Sequence, residues 1–123
     1  PRAGAAVLLV EDEPGLASAV AECLGDAGYV VTHAGDGQAG LDAIPRRTFD
    51  AVICDLKMPK VDGPTFFREV SASMPHIARR LIFMTGDVAG TDAERFLEEC
   101  GCRWIPKPFR LRDLVRVARE TLG

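Results

Sequence analysis

Four short apolar runs end in residues able to do chemistry. Ala6-Val7-Leu8-Leu9-Val10 runs into Glu11-Asp12-Glu13, Ala51-Val52-Ile53-Cys54 into Asp55, Leu81-Ile82-Phe83-Met84 into Thr85, and Trp104-Ile105-Pro106 into Lys107. If each run is a strand of one parallel sheet, acids, a hydroxyl and a base meet at the strands' carboxyl ends, where open α/β sheets keep their chemistry. The turn Glu11-Asp12-Glu13-Pro14 repels an unshielded phosphate, so a cation must come first. Hard oxygen ligands at two strand ends suit Mg²⁺, which keeps several waters and binds one or two carboxylates together with phosphate oxygens. With the local charge neutralised, a carboxylate can attack a phosphoryl group to give an aspartyl phosphate. Lys107 then offers a fixed positive charge to the phosphoryl oxygens and Thr85 a hydroxyl donor. Taken singly, each of these residues has a plain structural reading as a turn former or cap. Their joint placement at strand ends favours chemistry.

The elements that must position them follow from the hydrophobic pattern. Five apolar runs alternate with five amphipathic stretches at about 20 to 25 residues per unit, the rhythm of a parallel sheet with crossover helices. Strands are expected near residues 6–11, 29–33, 50–54, 80–85 and 102–105. The first, third and fourth are continuously apolar and should be central, which leaves the second and fifth as edges. Pro14 suits the first turn of a helix, with Leu16, Val20, Leu24 and Ala27 on one face until Gly28 stops it. The closing helix buries Leu111, Leu114, Val115, Ala118 and Leu122 and turns Arg110, Arg112, Arg116 and Arg119 to water. Phe66, Phe67, Val70 and Met74 fit a helix packing face. Right-handed crossovers and a reversal of winding create a crevice at the carboxyl ends of the first and third strands, flanked by Asp12 and Asp55.

At 123 residues the chain has room for one core, so residues 1–123 are expected to form a single domain. It starts Pro-Arg-Ala-Gly, without Met or a signal-peptide pattern, and reads as a piece of a longer protein. No apolar run approaches the roughly 18 residues of a membrane span. A net charge of −3 gives no footprint for nucleic acid, which calls for a basic face. Neither nucleic acid nor membrane is therefore expected as a partner of this domain. Cys23, Cys54, Cys100 and Cys102 lack CxxC spacing and read as reduced core thiols rather than a disulfide or a zinc site, which favours a cytoplasmic setting. His33 and His76 read as surface histidines, isolated from each other and from the acidic turns.

Val10-Glu11-Asp12-Glu13, Cys54-Asp55-Leu56-Lys57-Met58-Pro59, Met84-Thr85-Gly86 and Pro106-Lys107-Pro108-Phe109 together resemble the signature blocks of receiver domains of two-component response regulators. The blocks stand in order and at the right intervals over essentially the whole chain. The resemblance implies a five-stranded parallel sheet of order 2-1-3-4-5 with helices on both faces, a flavodoxin-like arrangement. It implies that Asp55 accepts a phosphoryl group from a phosphohistidine on a histidine kinase or histidine phosphotransfer domain. Asp12 and Asp55 would ligate Mg²⁺, for which Mn²⁺ can substitute, with the Lys57 backbone carbonyl as a further ligand and Glu11 acting through water. Thr85 and Lys107 would grip the phosphoryl oxygens, and a cis bond between Lys107 and Pro108 is implied.

Trp104 stands where the family keeps its switch aromatic, in a surface made by the fourth helix, the fifth strand and the last helix. Two readings stand side by side: a ring that turns inward on phosphorylation, and a plain edge-strand aromatic packed on the last helix. Gly86 replaces the commoner Ala, and Lys57 and Asp87 occupy variable positions that could pair across the site mouth. The segment Leu81–Asp87, with Phe96-Leu97-Glu98-Glu99, is similar to receivers at the carboxyl end of hybrid sensor histidine kinases. A stand-alone or DNA-binding regulator is the alternative, and a weak homodimer on activation is left open.

Two enzyme or carrier classes also use this kind of sheet. A phosphatase of the haloacid dehalogenase type needs a second acid two residues after Asp55, where Lys57 stands. A flavin-binding electron carrier needs a phosphate-cradling loop where Glu11-Asp12-Glu13 stands. A docking-only receiver would have lost the acids, Thr85 or Lys107, and all are present. The expectation is a switch that catalyses only its own phosphorylation and dephosphorylation.

Overall fold

The computed structural model describes residues 4–86 and 91–122. Their element order is β1 (Ala6–Val10), α1 (Pro14–Asp26), β2 (Val30–Ala34), α2 (Gly37–Ala43), a 3₁₀ turn (Ile44–Arg46), β3 (Ala51–Asp55), α3 (Gly63–Ser73), α4 (Pro75–Ala78), β4 (Leu81–Thr85), α5 (Asp92–Cys100), β5 (Arg103–Pro106) and α6 (Leu111–Leu122). All five strands are parallel, in the order β2-β1-β3-β4-β5, so β1, β3 and β4 are central and β2 and β5 are edges as the apolar pattern requires.

Side chains alternate across a strand, and this sheet divides its core accordingly. Val7, Leu9, Ala51, Ile53, Ile82, Met84 and Ile105 pack toward α1 and α6, against Ala17, Val20, Leu24, Leu114 and Ala118. Leu8, Val10, Val52, Cys54, Leu81 and Phe83 face the other way, against Phe66, Val70, Ile77 and Leu97 of α3, α4 and α5. Both faces are thus covered, which is why the central strands carry no polar alternation. Burying each large aliphatic or aromatic side chain here contributes about 1.5–3 kcal/mol.

Local signals set the helix ends. Glu13 caps α1 by accepting from Gly15 N–H at 3.0 Å and Leu16 N–H at 2.6 Å, with Pro14 in the first turn. Asp36 caps α2 through Ala39 N–H at 2.8 Å, and Asp62 caps α3 through Thr65 N–H at 2.9 Å. The five amphipathic stretches become six helices because Met74 leaves helical geometry (φ −142°) and Pro75 starts the separate short α4. The fourth helix of the sequence reading is therefore α5. The α1 face also differs in detail, since Ala17 is buried whereas Leu16 only packs at the core's margin.

Candidate functional site

The strand ladder decides which side chains meet. It runs one residue past β1 and β5: Glu11 N–H donates to Ala34 O at 3.0 Å, and Lys107 N–H donates to Thr85 O at 2.6 Å. Alternation therefore carries Glu11 onto the face of Val7 and Leu9, Asp55 onto that of Ala51 and Ile53, and Lys107 onto that of Ile105. The three converge at the carboxyl end of the sheet. Lys107 Nζ lies 2.7 Å from Asp55 Oδ2 and 3.4 Å from Glu11 Oε1. Thr85 belongs to the opposite face, with Leu81 and Phe83, at the same end of β4 and is buried.

The carboxylates are crowded. One ligand oxygen from each of Glu11, Asp12 and Asp55 falls within 4.8 Å of the others. Asp12 is exposed, while Asp55 and Glu11 are buried. Glu11 accepts Glu13 N–H at 2.9 Å, and Asp55 Oδ1 accepts Lys57 N–H at 3.2 Å, so the turns after both strands are tied to the acids they follow. Burial pushes the Glu11 carboxyl above its ordinary value of 4.5 and the Asp55 charge adds to this, against the pull of Glu13 N–H and Lys107. Burial alone would lower Lys107, yet its bonds and charge contacts with Asp55 and Glu11 hold it above 10.5. All-oxygen donors of high negative charge, open to solvent on the Asp12 side, fit a hard divalent cation and no softer one.

The loop after Asp55 is held from two sides. Leu56 N–H donates to Met84 O at 2.9 Å and Gly63 N–H to Leu56 O at 2.8 Å. Lys60, at φ 68°, pairs with Asp36 at 3.4 Å, and a Cβ on Gly37 would stand 2.1 Å from Val61 O. The N-terminus of α2 therefore buttresses the segment that carries the Lys57 carbonyl.

Residues 7–119 match the family described as the response regulator receiver domain. The chain belongs to that family. The receiver is 33% identical over 120 residues to the sensor kinase CckA of Brucella abortus, covering 96% of this chain but 12% of the kinase. It is 30% identical to the response regulator receiver protein CpdR of the same organism, covering 94% of this chain and 95% of CpdR. Among solved structures, the receiver domain of a sensor histidine kinase from Pseudomonas aeruginosa PAO1 superposes with a TM-score of 0.86 at 31% identity, over 98% of this chain and 99% of that one. That structure has a magnesium ion coordinated in its active-site cleft. The strand order is the flavodoxin-like order expected.

The receiver's expected site residues fall as follows. Glu11, Asp12, Asp55 and Lys107 share one cleft, Thr85 ends the neighbouring strand, and the Lys107–Pro108 bond is cis. Trp104 lies on β5, 41% exposed and away from the acids. A Cβ on Gly86 would meet nothing within 4 Å, so space does not demand glycine there. Lys57 is exposed, while Asp87, its expected partner across the mouth, lies outside the described residues.

One expectation is corrected: His33 is not isolated from the acidic turns. Its Nε2 lies 2.8 Å from Glu11 O, because β2 pairs with β1 in the register Leu9↔His33 and brings the ring beside the end of β1. Strand order combined with register was the signal for it, and neither is visible in composition. The Lys107 bridge between Asp55 and Glu11 is likewise a product of ladder parity.

Proposed function

We propose that residues 1–123 act as one phosphoacceptor receiver unit in which Asp55 takes a phosphoryl group from a phosphohistidine on a histidine kinase or a histidine phosphotransfer domain. The observation that carries this reading is the cleft itself: three carboxylates within 4.8 Å of one another and a lysine 2.7 Å from Asp55. A carboxylate oxygen of Asp55 attacks phosphorus, the N–P bond breaks, and the imidazole nitrogen leaves and takes up a proton. Lys107 holds Asp55 Oδ2 before transfer and passes to a phosphoryl oxygen after it, where Thr85 adds its hydroxyl. Asp12, Asp55 and the Lys57 carbonyl would hold Mg²⁺, or Mn²⁺ in its place, with Glu11 acting through water. The bound cation supplies positive charge that lets an anionic nucleophile meet an anionic phosphoryl group.

Catalysis is then confined to the domain's own phosphorylation and dephosphorylation. Matches to both a kinase-borne receiver and a free-standing one support a phosphorelay role in the bacterial cytoplasm, with protein partners. No helix among the described residues is long and apolar enough to cross a membrane.

The test is intact mass after incubation with a small-molecule phosphodonor, with and without Mg²⁺, for the wild type and Asp55→Asn. One added phosphoryl group that requires both Mg²⁺ and Asp55 is expected. Addition at another residue, or none while Mg²⁺ binds, overturns the reading.

A further inference from the structure

Three of the four cysteines read as core thiols, Cys23, Cys100 and Cys102, are only half-buried and pack at the core's margin. Cys54 is buried in β3, whereas Cys100 and Cys102 lie at the end of the sheet opposite Asp55. Cys100 ends α5, Gly101 turns the chain through the left-handed region (φ 71°), and Cys102 precedes β5. This turn brings the two side chains together. Cys102 N–H donates to Cys100 Sγ at 3.4 Å, Cys100 Sγ reaches Leu97 O at 3.6 Å, and Cys102 Sγ donates to Ala78 O at 3.7 Å.

Both residues line an open cavity of about 480 Å³ shared with Phe67, Ser71, Pro75 and Arg79. Ser71 lines that cavity too, although its Oγ is buried and has no hydrogen-bond partner among the described residues. The Arg79 guanidinium supplies a cation at the rim for an anionic guest. Among the described residues the only cluster of three or more metal-type ligands is that of Glu11, Asp12 and Asp55, so no third ligand makes the pair a zinc site.

We propose that Cys100 and Cys102 form a reactive dithiol, a modification site for small anionic disulfides of the glutathione type. The two sulfurs have different parts. Both thiols face a carbonyl, Leu97 O for Cys100 and Ala78 O for Cys102, but only Cys100 also has a backbone N–H aimed at its sulfur. Burial, followed by the charge and hydrogen bond of Cys100, pushes the Cys102 thiol up to about 12. Cys100 as thiolate attacks one sulfur of the disulfide RSSR, and the S–S bond breaks with RS⁻ leaving to become RSH. Cys102 then gives up its proton and attacks Cys100 Sγ, expelling the second RSH. The dithiol is oxidised to a Cys100–Cys102 disulfide and RSSR is reduced to two RSH. A ring closed across one residue departs from relaxed disulfide geometry and is reopened by excess thiol.

The experiment treats the folded chain with excess glutathione disulfide, quenches with acid, alkylates the remaining thiols and maps peptides by mass. The wild type is expected to lose two hydrogens with Cys100 linked to Cys102, and to regain them in reduced glutathione. Cys102→Ser should stop at a single glutathionyl adduct on Cys100, and Cys100→Ser should react at least about tenfold more slowly at Cys102. Circular dichroism of both variants checks that each is folded. The proposal is overturned if folded Cys102→Ser takes no adduct at Cys100, if Cys23 reacts as fast as Cys100, or if the wild type stops at the mixed disulfide.

Discussion

Glu11 is the residue at which burial and charge oppose each other. Its carboxylate is buried, accepts Glu13 N–H and shares Lys107 with Asp55, yet its pKa stands above 4.5 chiefly because of burial. A carboxyl whose pKa is raised by folding lowers stability as pH climbs from the unfolded value through the folded one, and the loss is complete above the latter. Without Mg²⁺, Glu11→Gln keeps an acceptor for Glu13 N–H and removes the buried charge. It should match the wild type below pH 4.5 and exceed it at pH 7, where the wild type carries the buried charge. Added Mg²⁺ should reverse the order by stabilising the wild type more than the variant. Urea unfolding at the two pH values, in EDTA and in Mg²⁺, measures all of this. A variant less stable than the wild type at pH 7 in EDTA would sink the argument.

At the scale of elements, the close contact between α2 and the loop after β3 determines where the Lys57 carbonyl sits. Gly37 leaves room for Val61 O, which a methyl group would meet at 2.1 Å, whereas a methyl on Gly25 in α1 would meet nothing within 4 Å. Gly25→Ala should therefore gain about 0.5–1 kcal/mol from helix propensity. Gly37→Ala should lose about 2 kcal/mol, since a backbone carbonyl cannot step aside as a flexible side chain does. It should also weaken Mg²⁺ binding by displacing the loop, which calorimetry would read. Equal effects of the two substitutions on stability would contradict the packing argument. The strand ends and the residues that close them were legible because apolar runs closing in Glu11, Asp55, Thr85 and Lys107 need only counting. The α2 buttress was not, since nothing local marks Gly37 as facing a loop more than twenty residues away. The break at Pro75 was readable from proline chemistry, but the amphipathic stretch around it runs on and hides it. The contact of His33 with the end of β1 and the half-burial of Cys23, Cys100 and Cys102 escaped the sequence for a related reason, because both depend on which elements pack together.

Across the whole molecule, the acids and Trp104 lie on different sides of β4, and two paths join them: Thr85 at the end of β4, and Lys107, which follows β5 and bonds Asp55 directly. β4 and β5 pair in the register Phe83↔Trp104 and Thr85↔Pro106, so Trp104 shares a sheet face with Phe83 and Thr85, one alternation back from the hydroxyl. Its ring is 41% exposed, beside an open cavity of about 700 Å³ bordered by Pro108, Phe109, Arg116 and Val117. The ion pairs that border this surface, Arg103–Glu120 at 3.0 Å and Arg116–Glu120 at 3.6 Å, are exposed and hold it weakly. A phosphoryl group on Asp55 that draws Thr85 toward it would leave space on that face into which the ring can turn. It biases the surface only as far as it interacts differently with the two packings. Trp104 is the sole tryptophan of the chain, so its fluorescence reports on this position alone. Phosphodonor with Mg²⁺ should shift emission to shorter wavelength and reduce iodide quenching in the wild type, with no change in Asp55→Asn or Thr85→Ala. Phosphorylation proven by mass with unaltered emission and quenching would mean that Trp104 is a fixed edge-strand aromatic, and that β5 reports nothing of what happens at Asp55.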